Sequence, residues 1–591
     1  MPKTFTRKKI FVCAIMLMTA FTFLIGRLSY LMIWKSDYYL EKAEALHQRE
    51  RSIKAKRGVI YDRNGVEIAG NKPVCSVSVI HSQITDEESV VAALSSILNL
   101  SEDTVRKKVE ANTIREKIKS NVDKETADML RELGLDGVMI DEDYKRYYPY
   151  GSLASKVLGF TGSDNQGIVG LEVSYEDVLS GTPGSILTLT DANGIEIKNE
   201  AEGRIEPIPG DDLYISIDVN IQKYAEQAAG KVYKAKQAKR VSVILMNPQN
   251  GEIYAMVNVP EYDLNEPYKL IGINSKGMTD KEKQDALNMM WRNFCINDTY
   301  EPGSTFKTVT ATAALEEGVV SVNDTFNCPG FRVVEDRKIR CARTTGHGTE
   351  TFRQGIMNSC NPVFIDVGAR VGVTKMYENY EKLGLFEKTG IDLPGEANSI
   401  MHKKENVGAV ELATMSFGQS FQITPMQLLR AASAIINGGK LVTPHFAMYY
   451  EGKDSGERHV FEYSEKPGVI KKETSDTMRE LLEAVVAEGG GSKGQVPGYR
   501  IGGKTATSEK LPRGNRKYIS SFMGFAPANN PQILGIVMID EPVGTYYGGT
   551  IAAPVLSEIY ENILPYLGIK ADYSEEKLKE TMSTIYIEEG D

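Results

Sequence analysis

The chain has 591 residues, of which 41% are apolar and 25% charged, and its formal charge is −10. That is ordinary globular composition at a length that allows several domains. It offers no basic footprint for nucleic acid, and no glycine-rich phosphate loop is present, so nucleic-acid binding is not expected.

At the start, Lys3, Arg7, Lys8 and Lys9 precede an apolar run from Ile10 to Gly26, which resumes after Arg27 from Leu28 to Trp34. A helix through Trp34 would span a bilayer. A cleaved signal peptide is the competing reading. The run is long for one, and no small-residue cleavage site follows before Tyr30 and Trp34, so an uncleaved anchor over residues 10–34 is expected behind a short tail of residues 1–9. The basic cluster puts that tail in the cytoplasm and everything after residue 35 outside.

Residues 35–205 mix charged helical stretches with short strand-like runs such as Val74 to Ile80, and none of them carries a catalytic pattern. The charge density and apolar periodicity from Glu88 to Leu135 predict a surface helical subdomain with solvated faces. From Asp211 onward, a strand over Leu213–Ile217, a helix from Asn220 to about Lys236 and a strand over Val241–Met246 open an α/β unit, expected to occupy residues 206–567. Residues 568–591 read as an acidic tail.

Within that unit, Glu301-Pro302-Gly303-Ser304-Thr305-Phe306-Lys307 places a serine and a lysine three residues apart behind a Pro-Gly helix entry. In a first helical turn, free backbone N–H groups and the positive dipole end favour an oxyanion, and Lys307 lies one turn on, on the same face. A serine hydroxyl needs a neighbouring base, and a lysine serves only when burial or nearby cations depress its pKa. The spacing alone is common, and a solvated helix face would read the same. Downstream, Met357-Asn358-Ser359-Cys360-Asn361 supplies a Ser-x-Asn and Gly502-Gly503-Lys504-Thr505-Ala506-Thr507 a Lys-Thr element, in the order used by penicillin-recognising enzymes. A literal Lys388-Thr389-Gly390 also occurs, only 29 residues past Ser359, and reads as a surface turn. Lys504 is preferred because strand-like Tyr518–Phe525 and Ile533–Ile539 follow it.

The cysteines pose a separate question. Cys13 lies in the anchor, Cys75 and Cys295 stand alone, and Cys328, Cys341, His347 and Cys360 follow the spacing Cys-x12-Cys-x5-His-x12-Cys. Three sulfurs and an imidazole suit a tetrahedral structural zinc, yet the compact two-residue spacing of specific zinc motifs is missing. A disulfide within the trio is an equal reading for an extracytoplasmic domain. Because Cys360 lies between Ser359 and Asn361, oxidation there is a candidate control point.

The three ordered elements, together with Arg57-Gly58-Val59-Ile60-Tyr61-Asp62-Arg63-Asn64-Gly65, Arg146-Tyr147-Tyr148-Pro149 and Gly167-Ile168-Val169-Gly170-Leu171-Glu172, resemble the class B penicillin-binding proteins, monofunctional peptidoglycan transpeptidases. The pattern is nearest to the division type and its sporulation-specific relative. Ile217-Asp218 with Ile221-Gln222, Asn247-Pro248 with Gly251-Glu252, and Phe417-Gly418-Gln419 with Thr424-Pro425 extend the resemblance along the chain. It implies an α/β fold of the α+β kind, an antiparallel sheet between helical layers, raised on an elongated mixed α/β pedestal or dimerisation-type domain behind one transmembrane helix.

The same resemblance implies Ser304 as nucleophile, Lys307 as its base, Ser359 and Asn361 as proton relay and amide holder, and Lys504, Thr505 and Thr507 as the carboxylate site. The substrates would be peptidoglycan stem peptides, with β-lactams as inhibitors and no cofactor required. Implied partners are a polytopic glycan polymerase and other division or sporulation membrane proteins. Ala506 departs from the family's glycine and could displace the Thr507 N–H slightly. A catalytically weak or inactive scaffold, or a D,D-carboxypeptidase, is therefore the alternative.

Overall fold

The computed structural model describes residues 4–39, 48–111, 115–189, 203–453 and 455–571, so most of the acidic tail lies outside the described residues. The chain forms two compact units. One comprises Met1–Lys56, Lys72–Lys145 and Gly181–Pro209, the other Arg57–Asn71, Arg146–Ser180 and Gly210–Asp591.

In the first unit, the N-terminal helix continues without a break into a short π-helical turn ending at Trp34. Its apolar stretch, Arg7–Trp34, has 28 residues and none of it is buried. At 1.5 Å per residue that is about 42 Å, enough to cross a bilayer. Further on, helices Glu87–Leu98, Glu102–Val109 and Lys124–Glu132 each start at a side-chain cap, supplied by Asp86, Ser101 and Asp123. They enclose a small core built on Val77, Val79, Leu94, Val105, Ile118 and Leu130.

The helical subdomain expected over Glu88–Leu135 contains these helices but also a strand, Glu116–Val122, paired antiparallel with the strand that ends at Val79. Ile118 and Val122 point inward, while Lys117 is exposed and Lys119 half-buried. With only two apolar residues in seven, its two-residue alternation is hidden by the surrounding charge.

The second unit is organised by a five-stranded antiparallel sheet. Its strands are β1 (Arg240–Met246), β2 (Ile253–Val259), β3 (Gly502–Glu509), β4 (Tyr518–Ala526) and β5 (Ile533–Asp540), in the order β2-β1-β5-β4-β3. Alternation builds two cores from one sheet: Val243, Leu245, Val537 and Ile539 face one side, Ile244, Met246, Ile536 and Met538 the other. Helices α1 (Val219–Ala235) and α6 (Ala553–Tyr566) cover the first side. Helices α2 (Lys307–Glu316), α4 (Pro425–Ile436) and α5 (Lys472–Ala487) cover the second, with α3 (Asn361–Lys382) packed on α2. Eight consecutive residues of α2, Lys307 to Ala314, are buried, so the lysine that opens this helix is carried into the interior.

The two N-terminal sequence boxes meet in this unit. The buried Glu172 carboxylate accepts from Arg57 Nε and Arg146 Nε, each at 2.6 Å, and from Tyr148 OH at 3.1 Å. Arg57 also reaches Glu176 at 2.8 Å. Burial opposes the Glu172 charge, but the two guanidinium groups outweigh it and hold its pKa below the usual value.

Candidate active site

Ser304 lies in a single tight turn, Gly303–Phe306, that runs straight into α2. The turn is braced from behind. Tyr300 bridges to Ile423, and the Gly303 N–H donates to Gly418 O at 2.9 Å. Gly303 has φ +58°, and a Cβ there would lie 2.3 Å from Ser508 Oγ on β3, so only glycine lets the turn approach the strand this closely. Ser304 is half-buried, whereas Lys307 is 1% exposed.

Lys307 Nζ donates to three acceptors: Ser359 O at 2.6 Å, Asn361 Oδ1 at 2.8 Å and Ser359 Oγ at 3.2 Å. Those acceptors are presented by a sharp reversal. Helix Phe352–Met357 ends, Ser359 adopts a left-handed conformation with φ +52°, and Cys360 becomes the N-cap of α3 with Pro362 in its first turn. Asn361 Nδ2 donates to Arg340 O at 3.0 Å, which fixes the amide with its oxygen toward Lys307. Burial lowers the Lys307 pKa to about 8, with Cys360, Cys341 and Glu350 opposing part of that shift.

Lys504 is also 1% exposed and donates to Thr505 O at 3.1 Å. Burial, and then the charge of Lys307, push its pKa well below the ordinary lysine value. Thr505 and Thr507 are half-buried, and Thr507 Oγ1 accepts from Gly548 N at 3.0 Å. The β3–β4 pairing is unbroken from Gly502 opposite Phe525 to Glu509 opposite Tyr518, with Ala506 in register opposite Ser521. The Ala506 methyl, 3% exposed, therefore leaves the strand continuous.

The structure brings Lys307, Ser359 and Asn361 into direct contact, with Ser304 at the head of the same helix and Lys504 near enough for its charge state to depend on Lys307. The other Lys-Thr-Gly lies elsewhere in the unit. It lies in irregular chain at the surface, with Lys388 and Gly390 exposed and the Thr389 side chain turned inward, its N–H and hydroxyl both donating to Glu396 Oε1.

All six cysteines are free thiols. One ligand atom from each of Cys328, Cys341, His347 and Cys360 lies within 4.8 Å of the others. The group is assembled by two short antiparallel pairs. Cys328 stands opposite Gly348, so His347 follows it into place and its N–H donates to Cys328 O at 3.1 Å. Cys341 leaves the Phe331–Val334/Arg337–Arg340 hairpin and is tied to Gly330 O at 2.9 Å. A hydrogen bond from Cys360 lowers the Cys341 pKa, while that bond and burial push Cys360 up.

One pair escaped the sequence reading. Glu301 accepts from Arg513 Nη2 at 2.5 Å across 212 residues of sequence, and no local pattern marks either residue as a partner.

Comparison with known proteins identifies the domains and relatives of this chain. Residues 241–561 match the penicillin binding protein transpeptidase domain and residues 52–215 the penicillin-binding protein dimerisation domain. Stage V sporulation protein D of Bacillus subtilis (strain 168) is 37% identical over 95% of this chain and 86% of its own length. Peptidoglycan D,D-transpeptidase FtsI of Escherichia coli (strain K12) is 29% identical over 94% and 91%. Penicillin Binding Protein 2X from Streptococcus thermophilus shares the fold, with a TM-score of 0.72 at 23% identity over 90% of this chain and 82% of that one.

Proposed function

The chain belongs to the class B penicillin-binding proteins and is a serine-type peptidoglycan D,D-transpeptidase; from that premise we propose the roles of its residues. Ser304 Oγ attacks the carbonyl between the last two D-alanines of a donor stem peptide, and Lys307 takes the hydroxyl proton. The C–N bond breaks, D-alanine leaves carrying a proton, and an ester joins the donor to Ser304. An amine from a second stem peptide then attacks the ester, loses a proton, and returns the serine hydroxyl as the cross-link forms. Ser359 relays protons between these groups and Asn361 holds the substrate amide. Lys504 holds the donor's terminal carboxylate with the Thr505 and Thr507 hydroxyls, and the N–H groups of Ser304 and Thr507 receive the oxyanion.

The observation that carries this reading is the buried Lys307, held at 2.6–3.2 Å by one carbonyl, one hydroxyl and one amide, none of them charged. Such an ammonium loses its proton readily, which is what a base for serine requires. The unbroken β3 pairing through Ala506 supports an active enzyme over a silent scaffold.

The N-terminal helix would anchor the chain with its basic end in the cytoplasm and the transpeptidase outside, in septal or sporulation wall synthesis beside a polytopic glycan polymerase. Of the two readings of the cysteine group, four-fold convergence with all thiols free supports the metal. Cys328, Cys341, His347 and Cys360 would hold zinc as a structural ion that fixes the head of α3 and hence Asn361. It would take no part in acyl transfer. Elemental analysis of protein purified without chelator should find about one zinc per chain, and its absence with three free thiols removes the idea.

Labelling of the detergent-solubilised full chain by a fluorescent penicillin, lost in Ser304→Ala, tests the nucleophile. Cross-linking of lipid-linked substrate tests the transpeptidase reaction itself.

A further inference from the structure

Glu301 and Arg513 take no part in the steps above, yet they join the two elements on which the oxyanion site depends. Glu301 is 8% exposed. Its Oε1 accepts from Ser420 N at 2.8 Å and its Oε2 from Arg513 Nη2 at 2.5 Å. Ser420 ends the turn whose Gly418 carbonyl receives the Gly303 N–H, so one carboxylate braces the nucleophile turn from its upstream side. Arg513 belongs to the β3–β4 hairpin, closed by Lys510 N–H to Lys517 O at 2.8 Å. Its second nitrogen, Nη1, donates to the carbonyl of Glu509, the last residue of β3, and Glu509 Oε1 accepts from Gly514 N at 2.8 Å. The guanidinium thus spans from the end of β3 to a residue three before Ser304.

Among the described residues we find no other hydrogen bond between the Tyr300–Lys307 segment and this hairpin. The turn also packs on β3 where Gly303 approaches Ser508, and the ion pair lies beyond that contact, at the strand end. A cavity of about 200 Å³, lined by Thr299, Tyr300, Glu301, Ser508, Glu509 and Leu511, lies beside the pair. Without the ion pair the hairpin end would have open space to move into.

We propose that Glu301 and Arg513 are positioning residues for acyl transfer: their ion pair fixes the separation of the Ser304 and Thr507 N–H groups by tying the turn that carries one to the strand end that carries the other. This rests on Ser304 being the nucleophile. The two oxyanion donors come from different elements, and displacements well under 1 Å at such a site are costly in rate. A pair acting only at this distance should affect bond formation more than initial binding of the ligand.

Stopped-flow acylation of the full chain in detergent by a chromogenic cephalosporin separates the non-covalent constant from the first-order acylation rate. In Arg513→Ala the acylation rate should fall between about 10- and 100-fold while the non-covalent constant stays within about threefold. Arg513→Lys, which restores the cation, should recover most of the loss, and Glu301→Gln, which keeps an acceptor for Ser420, should fall between the two. Melting curves of all variants should overlay that of the parent.

A wild-type acylation rate in Arg513→Ala, with Ser304→Ala inert, overturns the latch and leaves the nucleophile assignment standing. So does a loss in Arg513→Ala that Lys does not restore, or one accompanied by a matching fall in melting temperature. Acylation of Ser304→Ala overturns both.

Discussion

Substituting Asn361 by aspartate turns the base assignment into a number. In the parent, burial sets the Lys307 pKa at about 8 against an ordinary value of 10.5. The neutral fraction at pH 7 is then about one in eleven, against roughly one in three thousand for a free lysine, a gain of about 300-fold or roughly 3 kcal/mol. The sign follows from burial: the charged form is disfavoured, so base is gained as pH rises. Acylation should climb about tenfold per unit below pH 8 and level off above it.

Asn361→Asp places a carboxylate where the amide oxygen now lies, 2.8 Å from Lys307 Nζ. At an effective dielectric of about 20, that contact is worth about 6 kcal/mol before the cost of burying the new charge. A net rise of at least about one unit in the lysine pKa survives a generous discount. The midpoint should move from about 8 to 9 or higher, the rate at pH 7 should drop at least tenfold, and much of it should return by about pH 9.5. The plateau itself should be somewhat lower, because the Nδ2 hydrogen bond to Arg340 O is lost. Stopped-flow acylation of both proteins across this range is the assay. A flat parent profile, or a variant slowed equally at every pH with an unmoved midpoint, would show that Lys307 is not the base.

Gly303→Ala forces a side chain into φ +58° and against Ser508 Oγ, so acylation should fall by about 100-fold or more, read by penicillin labelling rates. Ala506→Gly should change acylation by less than about threefold, because β3 is already in register and a strand glycine costs about 0.5–1 kcal/mol; a large gain would mean the methyl does displace the Thr507 N–H. Glu172→Ala strands two buried guanidinium groups and should cost about 3–5 kcal/mol, seen as a lower denaturation midpoint in urea.

The chemistry of the site was legible in sequence to the extent that chemistry is local. Ser304 and Lys307 are three residues apart, the serine in a tight turn that runs straight into the helix Lys307 opens, and the Pro-Gly ahead of them marks where that turn begins. The choice of Lys504 over Lys388 rested on the strands that follow it, and those strands are where periodicity placed them.

What lay beyond reach were features set by contact alone. Ser359 adopts a left-handed conformation that its own side chain does not favour, imposed by the packing of two helix ends. The partnership of Glu301 with Arg513 joins two ordinary charged residues through tertiary structure only. Residues 57–71 and 146–180 belong to the same compact unit as the catalytic sheet, although their neighbours in sequence do not, and no local composition records that. Strand Glu116–Val122 was missed for a different reason: five of its seven residues are polar or charged, and charge density was read as helix.

The electrostatics of the two buried lysines bear on the proposed role of the donor's free carboxylate. Lys307 and Lys504 are both buried, and the charge of the first disfavours the charge of the second. Among the described residues no hydrogen bond to a charged partner resolves this conflict: Lys504 donates to the Thr505 carbonyl and Lys307 to neutral acceptors. A donor carboxylate arriving beside Lys504 supplies the missing counter-charge and favours its ammonium form. Paired with that carboxylate, the Lys504 ammonium adds little net charge beside Lys307, whose neutral form is the base and is favoured by burial. On this account a donor without its terminal carboxylate loses its hold on Lys504 and leaves two buried lysines competing for one charge.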